Sequence, residues 1–299
     1  MTRMSAIAKY LIPQLQAKNF NQRGFNLVEI AIALVILALA LGGVISAFAP
    51  QLNNRGFSTT QAQLVEAKEA VIAFASINRR LPCPATVASN GLESFCNAPT
   101  GACVVPVPPN VAPLSRGRCS ATPNLGLLPA VTLGLASQGS RGTVVDAWAG
   151  ALQYAIPAVT STSNATPAPF VTPPCGPGAA ICFPYTQSDG IRNAYYSPTV
   201  ASTSDLFVCS SATGITAANC GLVATNQRAN PAFLIFSLGQ IRPARGTDET
   251  ANTNADKVFV SHERTDEATP APNLAFDDLF IWTSMEQLRA RMQGSGVVP

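Results

Sequence analysis

The sequence predicts an α+β protein: a long N-terminal helical spine, one half membrane-spanning and the other amphipathic, packs on a C-terminal antiparallel β-sheet. Three observations predict this class. Residues 25–49 are almost entirely apolar, a helical spacing of apolar residues resumes at Thr59, and short apolar runs of strand length begin at Ala149. Stretches rich in Pro and Gly that contain cysteines separate these elements, so we expect long loops pinned by disulfides.

The first half of the predicted helix has the length of a membrane span. At about 1.5 Å per residue, positions 25–48 would form a helix of roughly 36 Å, longer than the ~30 Å hydrocarbon core of a bilayer. Four basic residues and no acidic residue precede this run: Arg3, Lys9, Lys18 and Arg23. The positive-inside rule then places the N-terminus in the cytoplasm and the bulk of the chain across the membrane. Gly42-Gly43 and Pro50 mark places where the helix could bend or melt.

The second half of the helix is amphipathic. Its apolar stripe is spaced at three and four residues and faces away from Glu66, Lys68 and Glu69. The pattern ends at Arg79-Arg80, before Pro82, which suits a helix C-terminus. We therefore expect the stripe to pack on the sheet; its members are Leu64, Ala67, Val71, Phe74 and Asn78.

Five runs have the length and composition of strands that complete one antiparallel set, and a short amphipathic helix is expected at 285–292. The segment 104–109 contains three prolines, so it can be at best an edge strand or polyproline. The predicted strands lie within 149–156, 206–208, 232–237, 257–261 and 278–282.

Eight cysteines follow the apolar run, an even number that indicates a disulfide framework in an oxidising compartment. Eight cysteines allow 105 pairings. Short loops favour Cys96–Cys103, Cys175–Cys182 and Cys209–Cys220, which leaves Cys83–Cys119.

Charge and composition argue against several function classes. Beyond residue 24 the chain has 15 basic and 16 acidic residues, so it lacks a global electrostatic footprint for nucleic acid. A single histidine, His262, and the absence of Cys-x-x-Cys argue against a zinc site. No Gly-x-Ser-x-Gly motif is present, and we expect no enzymatic activity and no resident cofactor.

One loop is rich in oxygen ligands suited to a hard cation. Its side chains could supply about half of the six to eight oxygens that calcium takes, and a solvated turn is the alternative. The candidate ligands are Asp248, Asn252, Asn254 and Asp256, with Glu249 beside them.

The residues Gly24-Phe25, with Glu29 four positions later on a long apolar helix, resemble the type IV prepilin signature. The resemblance implies cleavage between Gly24 and Phe25 by a prepilin peptidase, followed by N-methylation of Phe25. It also implies that Glu29 pairs with an N-terminal amine when the subunit packs into a filament. The implied domains are a leader at 1–24, a transmembrane and filament-core helix at 25–49, its amphipathic continuation at 50–81, and a pilin-like domain at 82–299.

Three later segments extend this resemblance. Asp146-Ala147-Trp148-Ala149-Gly150 is similar to the Asp-x-Trp-Gly segment of secretion pseudopilins, except that Ala149 stands where a glycine is common. The run 233–239 resembles the family's apolar strand that ends in Ser-x-Gly. The run 277–282 resembles the terminal Asp-Asp strand of some prepilins.

The sequence thus predicts a non-enzymatic structural subunit of a type IV pilus or type II secretion pseudopilus. Its bulky loops suggest a minor subunit. The implied partners are other pilin or pseudopilin subunits, the prepilin peptidase and an inner-membrane assembly platform. The implied location is a single pass through the inner membrane with a periplasmic C-terminal domain, and then the filament at the cell surface. Two alternatives stay open: an adhesive or ligand-binding surface module on such an anchor, and a secreted protein cleaved after Ala49.

Overall fold

A computed structural model of the chain describes residues 26–96, 103, 106–107, 117–120, 125–159, 183–188, 190–191, 204–221, 227–240, 245–265 and 275–296; for 41–53, 106–107 and 228 it describes the backbone. The chain divides into two compact units, Met1–Leu52 and Asn53–Pro299. The predicted cleavage-site residues Gly24 and Phe25 lie outside the described residues.

Helix α1 is a 52-residue helix, Leu27–Asn78. Its first turn is organised by Asn26, whose carbonyl accepts the amides of Glu29 and Ile30 at 2.9 and 3.2 Å. The helix continues through Gly42-Gly43 and Pro50, so its backbone does not melt at these positions. It stops where Arg79 adopts φ 57°, the left-handed conformation that commonly ends helices.

The predicted fold class is wrong in its membrane-spanning half. Among the helices of the described part of the chain, none is both long and apolar enough to cross a membrane.

The larger sheet is antiparallel and consists of β3 (Leu125–Leu127), β4 (Gln153–Ala155), β7 (Pro231–Ser237) and β9 (Leu279–Ser284). These strands lie side by side in the order β3-β4-β7-β9. All seven residues of β7 are buried, because this strand has neighbours on both sides and packing on both faces. The predicted strands at 149–156, 232–237 and 278–282 are therefore confirmed as members of one antiparallel sheet.

The prediction that all strands form one antiparallel set is wrong. Strands β5 (Phe207–Cys209), β6 (Gln227–Ala229) and β8 (Val258–Val260) form a separate sheet in the order β6-β5-β8, and β5 and β8 run parallel. The hydrophobic pattern of a short buried strand identifies the strand but does not specify its partner. A third sheet pairs β1 (Phe95–Cys96) with β2 (Pro106–Val107), inside the segment predicted to be edge strand at best.

Two apolar clusters cover the two faces of the larger sheet. Phe233 and Ile235 of β7 belong to one cluster and the alternate residues Leu234 and Phe236 to the other, as the period of two in a strand requires. The first cluster includes the buried residues of the α1 stripe, and the second includes residues of β5 and β8. Within the predicted stripe, Leu64, Ala67 and Val71 are buried, whereas Phe74 is half-buried and Asn78 is exposed.

Two shorter helices complete the fold. Helix α2 (Thr247–Ala251) precedes β8, and helix α3 (Met285–Gly294) follows β9 directly. Ser284 caps α3 by accepting the Gln287 amide at 3.2 Å, while the Gln287 side chain accepts the Ser284 amide at 3.2 Å. The predicted helix at 285–292 is confirmed, and Leu288 and Met292 join the cluster that contains the α1 stripe.

Candidate functional site

The first turns of α1 present an exposed apolar surface. Every described side chain from residue 26 to residue 40 is exposed, including Leu27 at 83% and Leu39 at 73%. A helix that is apolar on all sides is normally covered, because contiguous exposed apolar area is unfavourable in water. This surface, residues 27–40, is called the apolar helix surface below, and its chemistry is suited to packing against other apolar helices.

Glu29 is the only charged residue between Asn26 and Ala40. It lies exposed in the first turn of α1, where the helix dipole favours a negative charge. When neighbouring helices bury this turn, the carboxylate has to find a cation or lose free energy through desolvation. Glu29 is therefore the residue of the apolar helix surface that could select for a charged partner.

Three of the four expected disulfides are present. Cys83–Cys119, Cys96–Cys103 and Cys209–Cys220 join residues whose Cα atoms are 5.4, 5.3 and 5.5 Å apart. These pairings are confirmed, whereas Cys175 and Cys182 lie outside the described residues. Structural disulfides of this kind persist in oxidising compartments.

A buried ion pair lies beside the Cys83–Cys119 bridge. Arg80 donates two hydrogen bonds of 2.7 Å to the carboxylate of Glu93, which also accepts the Cys83 amide at 3.2 Å. The guanidinium lies between the rings of Phe74 and Phe95, at 5.0 and 5.3 Å from their centroids. The pair thus fixes the end of α1 to the disulfide-bonded segment that follows it.

Asp146 and Ser237, both buried, connect two distant segments of the chain through hydrogen bonds. The Asp146 carboxylate accepts the amides of Trp148 and Gly150 at 2.9 and 2.7 Å, and it also accepts the hydroxyl of Ser237. Ser237 in turn accepts the Gly239 amide at 3.0 Å. The turn that follows Asp146 and the end of β7 are thereby joined, although they are 91 residues apart in sequence.

Gly239 extends the network to the start of β9. At φ 60°, its backbone lies so close to Asp277 that an added Cβ would be 2.1 Å from Oδ1. Asp277, Asp278 and Glu249 of α2 are buried, and one carboxylate oxygen from each lies within 4.8 Å of the others. We call these three residues the carboxyl cluster.

Among the described residues, Arg245 is a cationic neighbour of the carboxyl cluster, with its Nη1 3.8 Å from Asp278 Oδ1. Asn252 donates a hydrogen bond of 2.8 Å to Asp278 Oδ2, and Glu249 accepts the Asp277 amide at 3.1 Å. Burial raises the pKa of Asp278 from its ordinary value of 3.8 to about 7; the nearby carboxylates add to this rise, while Asn252 and Arg245 oppose it. The Asp278 carboxyl therefore keeps its proton to a higher pH than an ordinary aspartate does.

Comparison with known proteins does not assign the chain to a family. No protein family, curated protein or solved structure matches the chain.

In the loop predicted to bind calcium, the side chains of the expected ligands form hydrogen bonds with backbone groups. Asp248 accepts the Ala212 amide at 2.7 Å, and Asn252 exchanges hydrogen bonds with the backbone of Val260. Asn254 accepts the amide of Asp256, which itself accepts that of Val258. The close group of acids is instead the carboxyl cluster, which shares only Glu249 with the predicted loop. The calcium site expected at Asp248, Asn252, Asn254 and Asp256 stays a prediction.

His262 contacts an aromatic ring and a carboxylate. The imidazole of His262 stacks on Phe276 with 3.9 Å between the ring centroids, and its Nε2 lies 3.2 Å from Asp248 Oδ2.

The sequence shows part of the carboxyl cluster, because the doublet Asp277-Asp278 stands as a motif before an apolar strand. The proximity of this doublet to Glu249 is not visible in the sequence, because it depends on how α2 lies against the residues that precede β9.

Proposed function

We propose that this chain is a non-enzymatic structural subunit of a type IV pilus or a type II secretion pseudopilus. The observation that carries the proposal is the apolar helix surface with its one carboxylate, Glu29, immediately after the Gly24-Phe25 junction. An exposed apolar helix is unfavourable in an isolated subunit but becomes the core of a filament when subunits bundle their helices.

In this proposal, a prepilin peptidase cleaves between Gly24 and Phe25, and the new amine is methylated. The Glu29 carboxylate then pairs with the Phe25 amine of its own chain or of a neighbour. A buried charge is tolerated only when it meets its partner. If a helix packs in the wrong axial position, the Glu29 carboxylate is buried without a cation, which costs about 3–5 kcal/mol. The pair therefore fixes the register of one subunit against the next.

The disulfides support a location outside the cytoplasm for the unit Asn53–Pro299. Three bridges stabilise its loops, and such bridges form in the periplasm or at the cell surface. The proposed partners are other pilin or pseudopilin subunits, the prepilin peptidase and the assembly platform. The length of the chain and its loops favour a minor subunit over a densely packed shaft subunit.

The first test concerns processing. Intact-mass analysis of the protein purified from its host is expected to give an N-terminus at Phe25 with one added methyl group. A Gly24→Leu variant is expected to retain the leader, because the peptidase requires the glycine. A mature chain beginning at Pro50 would instead establish the secreted alternative.

The second test concerns assembly. Glu29→Ala is expected to leave the amount of folded protein unchanged but to reduce its amount in sheared filament fractions at least tenfold. The matched control is Glu66→Ala, which removes another exposed carboxylate of α1 from outside the apolar helix surface and should assemble normally. Equal incorporation of Glu29→Ala and wild type would reject the pairing role of Glu29 and favour a surface module with a similar anchor.

A further inference from the structure

We draw no further inference here: the strongest candidate, the buried carboxyl cluster of Glu249, Asp277 and Asp278 between α2 and the start of β9, is a group of acidic side chains for which nothing else in the described part of the chain points to a ligand.

Discussion

At the scale of single residues, Ala149 has a backbone conformation that its own side chain disfavours. Its φ is 66°, in the left-handed region where a Cβ costs roughly 1–2 kcal/mol. The conformation is imposed by the turn in which Asp146 accepts the amides of Trp148 and Gly150. A glycine at this position would adopt the same conformation without that cost.

We therefore expect Ala149→Gly to stabilise the protein by about 0.5–1 kcal/mol, because relief of strain outweighs the added entropy of the unfolded chain. Urea denaturation measures the change. The control is Ala147→Gly, an exposed neighbour outside the positive-φ residues, which should be neutral or destabilising. Equal effects of the two substitutions would show that strain at Ala149 is not the cause.

Asp278 makes stability depend on pH. Its pKa is about 7 in the folded protein, against an ordinary value of 3.8. Between these values the folded state keeps a proton that the unfolded state has released, so stability falls as pH rises from about 4 to 7 and levels off above it. The slope from this one group is at most about 1.4 kcal/mol per pH unit.

Asp278→Asn is expected to remove that contribution, since an amide does not titrate over this range. The free energy of unfolding, measured by urea denaturation at several pH values between 4 and 8, should decline less steeply for the variant than for wild type. Glu263→Gln, which neutralises an exposed carboxylate, should keep the wild-type slope. An unchanged slope in Asp278→Asn would contradict the assignment of the proton to this residue.

At the scale of elements, the Arg80–Glu93 pair connects the end of α1 to the next segment. Arg80→Met should destabilise the protein by about 3–5 kcal/mol, because it leaves the Glu93 carboxylate buried without its cation. Arg80→Met combined with Glu93→Gln should recover part of that loss, since the amide is neutral and can still accept the Cys83 amide. If the double variant is less stable than Arg80→Met, the isolated charge is not the source of the loss. Denaturation without reductant keeps the disulfides intact during the comparison.

The disulfides differ in the number of residues in the loop that each one closes. Cys83–Cys119 separates its cysteines by 36 positions and Cys96–Cys103 by 7. On loop entropy alone, removal of the first should cost about 3.8 kcal/mol and removal of the second about 2.4 kcal/mol. Paired Cys→Ala variants, compared by urea denaturation, test this order. The reverse order would show that native packing around the bridges outweighs loop length.

Sequence patterns predicted the individual elements better than their pairing. The continuous apolar run of β7 and the spacing of the α1 stripe are local patterns that the sequence shows directly, and short loops were enough to predict Cys96–Cys103 and Cys209–Cys220. The parallel pairing of β5 with β8 was missed because it depends on a long connection between strands. Strand β6 (Gln227–Ala229) was also missed, since its polar and small residues show no strand pattern and its pairing comes from tertiary context.

At the scale of the whole molecule, the unit Asn53–Pro299 joins distant parts of the chain. The buried face of α1 packs with Leu288 and Met292 of α3, and Arg291 approaches Glu69 at 3.2 Å across 222 residues of sequence. That exposed ion pair itself contributes little, so the stability of the contact depends on the apolar cluster. The cluster brings together the two ends of the unit.

This arrangement determines when a newly synthesised chain can fold. Until β9 and α3 have been made, Leu64 and Val71 lack the last part of their apolar surroundings, and closure of so long a loop is slow. We therefore expect a nascent chain to expose these apolar residues until β9 and α3 have been made. We expect chains arrested before Leu279 to be cleaved rapidly by a protease under native conditions, whereas the full-length chain resists; resistance of the arrested chain would show that the α1 stripe folds without the C-terminal elements.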